Sequence, residues 1–351
     1  MFQIPVFLSR QKTEVMKTSF HEAILWEPLP EKSVRCHACA HRCEIRVGQF
    51  GICGTRKNVG GALFTNVYER PLAVQSDPIE KKPLFHFLPG TRALSLGTAG
   101  CNFHCTFCQN DDISQLRGEV VYGYDTSCRQ LVNGAVEKGC GSIAYTYNEP
   151  VVFIEFVLDT AKLAHRAGLK NVYISNGFET EETFALLTGN IDAMNIDLKA
   201  FTERFYKTLC KGRLQPVLEN IRRAVALGIW VEVTTLLIPG ENDSEAEIRE
   251  IARFIASVSS DIPWHISRFF PAYKMTSKPL THLSVIQRAS EIGYEEGLHY
   301  VYTGNVPFES NTTRCPHCGE ELIVRHAYRL GKMKVENGCC PRCGTKIAGV
   351  F

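Results

Sequence analysis

The sequence predicts an α/β fold in which a partial (β/α)6 barrel carries small cysteine-rich metal-binding modules at both ends. Short apolar runs alternate with stretches of helical periodicity between about residues 92 and 304. Repeated strand–helix units favour a parallel sheet with right-handed crossovers. Most of the 15 cysteines cluster at short gaps outside or at the start of this region, which predicts the modules. The predicted domains are an N-terminal region 1–90 with a four-cysteine metal site, a barrel 91–306, and a C-terminal module 307–351.

Seven apolar runs are predicted as buried parallel strands. They are RALSLG (92–97), SIAYTY (142–147), KNVYISN (170–176), AMNIDL (193–198), WVEVTTLLI (230–238), WHISRFF (264–270) and HYVYTGN (299–305). Helical periodicity follows in 151–168, 217–228 and 244–258. The first helix begins after Pro150 and ends at Gly168, and Ser244 with Glu247 predicts a capping box for the third. In such folds the chemistry lies at the carboxyl ends of the strands.

The composition is that of an ordinary globular protein. The chain has 351 residues, 44% of them hydrophobic and 22% charged, with a net charge of +2. This balance gives no strong field for nucleic acid or an anionic membrane, although a local patch for RNA stays possible. We find no apolar run of about 20 residues, the length of a membrane span. The segment MFQIPVFLSRQKTEVMK lacks the basic start and long apolar core of a signal peptide, so a cytoplasmic protein is expected.

The cysteines fall into three groups, with Cys128, Cys140 and Cys210 standing alone. The groups are Cys36, Cys39, Cys43 and Cys53; then Cys101, Cys105 and Cys108; then Cys315, Cys318, Cys339, Cys340 and Cys343. Gaps of two and three residues are typical of metal ligands rather than of a disulfide framework, and they fit a reducing compartment.

The central group lies in LGTAGCNFHCTFCQN, directly after the first predicted strand. A four-iron cluster normally takes four thiolates, so the three of Cys101, Cys105 and Cys108 leave one iron open. That iron can chelate the amine and carboxylate of an amino acid such as the methionyl part of S-adenosylmethionine. Phe107 is placed to pack on the cluster or on the adenine. The alternative is a zinc site completed by His104, which lies between the ligands on a short loop.

The C-terminal cysteines form two matching knuckles. CPHC and CPRC, each followed by Gly, are joined by a segment able to form a hairpin. This pattern predicts a structural zinc-ribbon-like site, with rubredoxin-like iron as the alternative. Its ligands would be Cys315, Cys318, Cys340 and Cys343, while Cys339 is one residue too early.

The N-terminal cysteines also offer four thiolates. Cys36, Cys39, Cys43 and Cys53 are predicted to bind structural zinc, with His37 and His41 as possible substitutes. A second iron–sulfur cluster is the alternative, and it would give this region a redox role.

The spacing Cys-x3-Cys-x-aromatic-Cys resembles the radical SAM superfamily. The resemblance extends to glycyl-radical-activating enzymes such as pyruvate formate-lyase activating enzyme, and it is strongest to the AmmeMemoRadiSam system radical SAM enzyme. It covers nearly the entire chain, because the N-terminal cysteines, DPIEKKPLFHFLPG, GCNFHCTFCQN, TYNEP, NIDLKAF, IPGENDS, PWHISRFFPAYKM and the C-terminal ribbon run in that order. It implies a 4Fe–4S cluster on the three central cysteines and S-adenosylmethionine as cofactor.

The resemblance also implies cofactor-binding residues at the strand ends. Asn148 and Glu149 in TYNEP would hold the methionyl amine, although the same residues also suit a plain helix start. Ser175 and Asn176 in ISNG would bind the ribose, or form an ordinary turn. Asp197 and Lys199, two apart on one strand face, would contact the cofactor's carboxylate or ribose, and IPGENDS would close over it.

Candidate substrate residues come from PWHISRFFPAYKM. His265, Arg268 and Tyr273 are expected at or beyond a strand end, where they would bind an anionic substrate or gate a radical; a satisfied core histidine is the competing interpretation. Cys210 is expected to be a buried, inert cysteine rather than a thiyl relay or an extra ligand.

The expected reaction is reductive cleavage of S-adenosylmethionine to a 5′-deoxyadenosyl radical that abstracts hydrogen from a substrate. The first hypothesis for the substrate is a residue of a partner protein, and the second is a small molecule or an RNA base. A non-catalytic, metal-dependent interaction scaffold is the hypothesis of another class. The implied partners are an electron donor such as ferredoxin or flavodoxin, a protein substrate, and, by functional association, Memo-like and AMMECR-type proteins.

Overall fold

The computed structural model describes residues 20–120, 123–307 and 310–351. The N-terminal segment MFQIPVFLSRQKTEVMK, in which no signal peptide is predicted, lies outside these residues. Within them, no helix is long and apolar enough to cross a membrane.

Strands and helices alternate through the middle of the chain. The strands are β1 (His21–Glu22), β2 (Trp26–Pro28), β3 (Val34–Cys36), β4 (Glu44–Ile45), β5 (Arg56–Val59), β6 (Ala62–Thr65), β7 (Ala73–Pro78), β8 (Arg92–Gly97), β9 (Ser142–Tyr145), β10 (Lys170–Ser175), β11 (Ala193–Asp197), β12 (Trp230–Leu237), β13 (Trp264–Arg268), β14 (Val301–Gly304), β15 (Ser310–Arg314), β16 (Glu321–His326) and β17 (Arg329–Met333). The α-helices are α1 (Asp111–Ser114), α2 (Cys128–Glu137), α3 (Ile154–Arg166), α4 (Glu181–Leu187), α5 (Glu203–Phe205), α6 (Leu214–Ala226), α7 (Glu245–Val258) and α8 (Leu283–Glu295). Short 3-10 segments span Pro30–Lys32, Ile79–Lys81 and Pro150–Phe153, and a π-helical turn spans Tyr206–Cys210.

An eight-stranded sheet, ordered β7 to β14, forms the centre of the molecule. β8 to β14 pair in parallel, and β7 pairs antiparallel with β8 at one edge. Each of β8 to β13 is followed by helical structure before the next strand, which confirms the predicted α/β fold with six strand–helix units. All seven predicted strands are present. β7, inside the predicted N-terminal region, belongs to the barrel sheet because it pairs with β8 over six residues.

The register brings the carboxyl ends of the strands to one edge. Leu96 of β8 lies opposite Tyr145 of β9, and Ser175 of β10 lies opposite Ile196 of β11. The loops that follow these strands therefore meet at that edge. Beneath it, apolar side chains of the strands and helices form one large core that includes Leu96, Tyr145 and Ile196.

The third predicted helix is confirmed, but its capping box is only half formed. Ser244 accepts from the backbone N–H of Glu247 as the motif predicts. The Glu247 carboxylate instead accepts from the backbone N–H of Phe201, in the β11–α5 loop, at 2.8 Å. A complete box forms at α2, between Ser127 and Gln130.

The flanking regions are small antiparallel sheets, ordered β1–β6–β5, β2–β3–β4 and β15–β16–β17. A buried ion pair joins the first flank to the barrel: Arg56 of β5 lies 2.8 Å from Glu155 of α3. At the other end, Arg325 donates to the carbonyl of Phe85, and its guanidinium lies 4.6 Å from the Phe85 ring. Both modules are therefore packed on the barrel through buried arginines.

Candidate active site

The loop after β8 carries Cys101, Cys105 and Cys108 to the carboxyl edge of the sheet. Asn148, after β9, holds the start of this loop: its Oδ1 accepts from Thr98 N at 3.0 Å and its Nδ2 donates to Gly100 O at 2.7 Å. The Asn148 amide is thus committed to the protein loop. The Asn148 side chain therefore positions the loop, and the cofactor contact implied by the resemblance stays a prediction.

The three thiols are buried or half-buried. Burial raises the pKa of Cys101 well above its ordinary value, and it also raises the pKa of Cys108. A hydrogen bond with Cys210, followed by burial, raises the pKa of Cys105. Because metals bind thiolates, cluster assembly on these residues must release protons.

Cys210 lies directly beside the central loop. The loop pairs with the π-helical turn through His104 N to Cys210 O at 2.8 Å and Thr106 N to Leu209 O at 2.9 Å. The Cys210 side chain is fully buried and contacts the Cys105 thiol. Burial agrees with the expectation for this residue, but its contact with a candidate ligand was not predicted.

Two buried carboxylates meet at the ends of β9 and β10. Glu149 Oε2 accepts from the backbone N–H of Asn176 at 2.8 Å, and the Ser175 hydroxyl contacts Glu149 Oε1 at 3.1 Å and also Glu179. Burial, followed by the charge of Glu179, raises the pKa of Glu149 well above its ordinary value, and burial raises that of Glu179. Two buried carboxylates so close need a shared proton or a bound cation.

Unsatisfied polar atoms lie in the same network. Asn176 Nδ2 donates to Asn102 Oδ1 at 2.7 Å, which ties this network to the residue after Cys101. Asn102 Nδ2 is buried without a hydrogen-bond partner among the residues described; Glu179 Oε2 has none within ordinary hydrogen-bond distance, although the buried Tyr173 hydroxyl lies near Glu179. Since buried polar atoms are nearly always paired, the unpaired Asn102 donor beside the acid pair is typical of a ligand site.

Asp197 and Lys199 form an ion pair at the end of β11, with Lys199 Nζ 2.7 Å from Asp197 Oδ2. The ammonium lies 5.9 Å from the centre of the Phe107 ring. Phe107 is buried and packs against Phe205 at 5.6 Å. The structure therefore brings these three predicted residues together next to the cysteine loop.

The IPGENDS loop folds over the end of β11. Asn242 Oδ1 accepts from Ile238 N at 2.7 Å, and its Nδ2 donates to Lys199 O at 2.6 Å. The loop thus covers the backbone of Lys199, one of the residues expected to contact the cofactor; closure of the loop over the cofactor stays a prediction.

The three candidate substrate residues lie in three different environments. Lys274 N donates to Thr106 O at 3.0 Å, so the segment containing Tyr273 reaches the cysteine loop. Arg268 ends β13 and donates through Nε to Thr281 O at 2.7 Å. His265 corrects the prediction of a strand-end residue: it is the second residue of β13, buried, with Nε2 2.7 Å from Glu232 Oε2. Its pairing with a fully buried carboxylate gives it a structural role.

The C-terminal cysteines converge. The sulfurs of Cys315, Cys318, Cys340 and Cys343 all lie within 4.8 Å of one another. Each knuckle is closed by a glycine with positive φ, and Gly319 N donates to Cys315 O just as Gly344 N donates to Cys340 O, both at 2.9 Å. β16 and β17 form the predicted hairpin between the knuckles. Cys339 is outside the quartet, as its position in the sequence predicts.

The N-terminal cysteines line one cavity. Cys36, Cys39, Cys43 and Cys53 share it with His41 and Arg56. His37 instead lies 3.5 Å from Glu27.

Sequence reasoning missed Asn102 and Glu179. Asn102 follows a candidate ligand directly, and Glu179 lies two residues after the ISNG turn, so their positions carried a weak signal. The decisive feature, an unsatisfied buried atom in each, depends on contacts between distant segments.

The donor set suits an iron–sulfur cluster with an amino-acid ligand. Three thiols at one strand end match a cluster with one open iron. Asn102 supplies a donor for a carboxylate, and the paired acids Glu149 and Glu179 supply acceptors for an ammonium group.

Comparisons with known proteins agree with this geometry. The Radical SAM superfamily model matches residues 95–255. The uncharacterized protein MJ0808 of Methanocaldococcus jannaschii is 42% identical over 330 residues, which cover 93% of this chain and 98% of that protein. GTP 3′,8-cyclase of Listeria monocytogenes is 25% identical over 226 residues, covering 61% of this chain and 65% of the cyclase. Pyruvate formate-lyase-activating enzyme of Clostridium pasteurianum is 22% identical over 177 residues, covering 48% of this chain and 71% of the enzyme. On the family model and this full-length relative, the chain belongs to the radical SAM superfamily.

Proposed function

We propose that this protein is a radical SAM enzyme that acts on a residue of a partner protein. Membership of the superfamily implies a 4Fe–4S cluster and S-adenosylmethionine. When bound, these groups supply a 5′-deoxyadenosyl radical by one-electron reductive cleavage, and the radical abstracts hydrogen from the substrate.

One observation carries the assignment of the cofactor site: the cysteine thiols stand beside a buried acid pair that has no cationic partner in the described part of the chain. Cys101 is followed by Asn102, whose Oδ1 accepts a hydrogen bond from Asn176 Nδ2. The backbone N–H of Asn176 in turn donates to Glu149. A ligand with an ammonium and a carboxylate next to the thiols would satisfy both the acid pair and the free Asn102 donor. The methionyl end of S-adenosylmethionine has these two groups.

The chain's own residues then have distinct tasks. Cys101, Cys105 and Cys108 hold the cluster, and Glu149 with Glu179 accepts from the ammonium group. Asn148 fixes the loop that presents the thiols. Ser175 and Asn176 orient Glu149 rather than binding ribose directly.

Lys199 and Asp197 offer opposite charges at the neighbouring strand end. Phe107 and the 238–244 loop shield this side from water, since Phe107 is buried and Asn242 fastens the loop to Lys199.

A protein substrate is supported by the likeness to a pyruvate formate-lyase-activating enzyme. The motif order supports a place in the AmmeMemoRadiSam group, and with it a functional link to Memo-like and AMMECR-type proteins. The proposed reductive cleavage needs an electron donor, for which we propose ferredoxin or flavodoxin. The likeness to GTP 3′,8-cyclase supports the second candidate, radical modification of a small molecule or an RNA base.

Zinc is the proposed metal of the C-terminal quartet. Its sulfurs are 3.6 Å (Cys315–Cys343) and 3.7 Å (Cys318–Cys340) apart. A tetrahedral zinc with bonds of about 2.3 Å places its sulfurs about 3.8 Å apart. Four thiolates close the site, so its role is structural.

The test is an anaerobic one. The protein is reconstituted with iron and sulfide, reduced, and given S-adenosylmethionine, and 5′-deoxyadenosine is followed by chromatography while the EPR spectrum of the reduced protein is recorded before and after addition. We expect 5′-deoxyadenosine and a shifted spectrum. If S-adenosylmethionine leaves the EPR spectrum unchanged and no 5′-deoxyadenosine forms, the proposed enzyme activity is refuted and the scaffold hypothesis is favoured.

A further inference from the structure

The N-terminal cysteines line one small cavity that is partly open to solvent. Its walls include Cys36, Cys39, Cys43 and Cys53. Cys36 and Cys53 are buried, and Cys39 and Cys43 are half-buried. The backbone holds the group together, with Cys36 N donating to Cys43 O at 2.9 Å.

The separation of these thiols does not suit a single ion. Sulfurs around one tetrahedral zinc lie about 3.8 Å apart. The C-terminal quartet has this spacing, and across residues 20–120, 123–307 and 310–351 no other three cysteine, histidine or acidic ligand atoms lie within 4.8 Å of one another. The N-terminal thiols are therefore spread more widely, as are those of the central loop. In a four-iron cluster each thiolate binds a different iron, and in a two-iron cluster the four thiolates divide between two irons, so wider spacing is expected in both.

The cavity is also lined by a buried arginine with one unpaired donor. Arg56 is fully buried; its Nη2 contacts the Glu155 carboxylate at 2.8 and 2.9 Å. Its Nε is also buried, without a hydrogen-bond partner in the part of the chain that the structure describes. Because buried donors are nearly always paired, an unpaired N–H on a residue that lines the thiol cavity points to an acceptor nearby, and the sulfides and thiolates of an anionic cluster are acceptors.

The cavity adjoins the central loop. The Cys53 carbonyl lies so close to Gly100, the residue before Cys101, that a Cβ on Gly100 would be 2.6 Å from that oxygen. His41, on the cavity wall, has Nε2 2.9 Å from the carbonyl oxygen of Asn102, the residue after Cys101. The N-terminal module thus contacts the central loop on both sides of Cys101, through the Cys53 carbonyl beside Gly100 and through the His41 side chain at Asn102.

We propose that Cys36, Cys39, Cys43 and Cys53 hold a second iron–sulfur cluster, instead of the structural zinc that their spacing in the sequence predicts. This site is additional to the one proposed at the central cysteines and does not depend on its activity. Its contact with the central loop makes the N-terminal module a second redox-active site beside the first.

The experiment compares metal content in three proteins reconstituted anaerobically with iron and sulfide in the presence of zinc. They are the wild type, a variant with Cys101, Cys105 and Cys108 all changed to Ala, and a variant with Cys39 and Cys43 changed to Ala. Iron, acid-labile sulfide and zinc are counted per chain, and Mössbauer spectra identify the cluster type. Cys128→Ala is the control, because this lone cysteine lies outside all three groups.

We expect the central-triad variant to keep about two or four irons with equal sulfide, since four thiolates hold either cluster type. The N-terminal variant should lose that amount, and the control should match the wild type. In the wild type, the EPR signals of the reduced protein should show interaction between two centres. Iron and sulfide that vanish completely in the central-triad variant, or one zinc retained at the N-terminal cysteines, would overturn the proposal.

Failure of this proposal is separable from failure of the proposed function. If the central-triad variant loses all iron while the wild type cleaves the cofactor, only the proposal of a second cluster is refuted. If the variant retains iron while the wild type does not cleave the cofactor, only the proposed enzyme activity is refuted. The central-triad variant keeps all four N-terminal cysteines. Its iron content therefore tests the second cluster even if the N-terminal variant misfolds.

Discussion

The backbone N–H of Asn176 donates to Oε2 of Glu149 at 2.8 Å, which joins the end of β10 to the end of β9 beside the cysteine loop. This bond fixes the orientation of a buried carboxylate whose second neighbour, Glu179, is also an acid. In the proposed function, Glu149 and Glu179 together bind the ammonium group of the cofactor.

Glu149→Gln tests that role because it keeps the size of the side chain and one acceptor oxygen but removes the negative charge. We expect S-adenosylmethionine to bind roughly 10- to 100-fold more weakly, because hydrogen bonds to charged groups contribute about 1.5–3 kcal/mol. Anaerobic calorimetry on the iron-loaded protein measures the affinity. Glu181→Gln is the control, since that side chain is 83% exposed on α4. Equal affinities for Glu149→Gln and wild type would remove Glu149 from the site.

Lys199→Ala should also weaken S-adenosylmethionine binding, by about tenfold, because it removes the cation at the end of β11 and leaves Asp197 unpaired. The matched control is Lys170→Ala. Lys170 pairs with Asp192 at 2.8 Å, much as Lys199 pairs with Asp197, but it begins β10 at the opposite edge of the sheet. If both variants bind the cofactor alike, the Lys199 assignment is wrong.

Cys105→Ala should abolish the central cluster and 5′-deoxyadenosine formation while the fold survives. Iron content, absorbance and circular dichroism check the three parts of this expectation. Cys210→Ala is a stringent control, because Cys210 is fully buried and contacts Cys105. We expect it to keep the cluster and the activity. Loss of the cluster in Cys210→Ala would make Cys210 a ligand or a necessary support.

Cys340→Ala should release one metal ion per chain and expose the C-terminal module to proteolysis, without changing the absorbance of the iron–sulfur centres. The metal supplies much of the folding free energy of such a small module. Cys339→Ala, one residue earlier and outside the quartet, should behave as wild type. Metal content by mass spectrometry and limited proteolysis decide the outcome, and similar loss in both variants would contradict the ligand set.

Acidification should weaken the C-terminal contact through His86. Its Nδ1 lies 2.7 Å from Ala348 O and its Nε2 2.6 Å from the Tyr302 hydroxyl, so the neutral ring donates at Nδ1 and accepts at Nε2. Burial lowers the pKa of His86 to about 4. Because the unfolded chain, with a pKa of about 6.5, then binds more protons than the folded one, stability falls as pH decreases from about 6.5 to 4.

At pH 5 this loss amounts to about 2 kcal/mol relative to pH 7. Denaturant unfolding at both pH values measures it. The charged groups Glu232, Arg325 and His265 lie near His86 and influence its protonation, so the comparison is made with His86→Asn. The wild type should lose more stability than this variant between the two pH values, and equal losses would exclude His86 as the source.

Much of the fold could be predicted from the sequence because its signals are local. Apolar runs separated by helical periodicity gave all seven parallel strands, and the spacing of Cys101, Cys105 and Cys108 after the first of them indicated the cluster site. The two glycine-closed knuckles likewise predicted the C-terminal quartet. Each of these patterns spans a few residues, and short-range backbone geometry fixes what it can form.

The tertiary structure decided what depends on contacts between distant segments. His265 looked like a strand-end residue, yet a buried carboxylate on the neighbouring strand pairs with it. Cys210 stands alone in the sequence, but the π-helical turn packs it against Cys105. The orphan amide of Asn102 and the contact of Cys53 with Gly100 arise only when loops from three parts of the chain meet at one sheet edge. Sequence periodicity reports which face of an element is buried, whereas the identity of its partner is set by how the elements pack together.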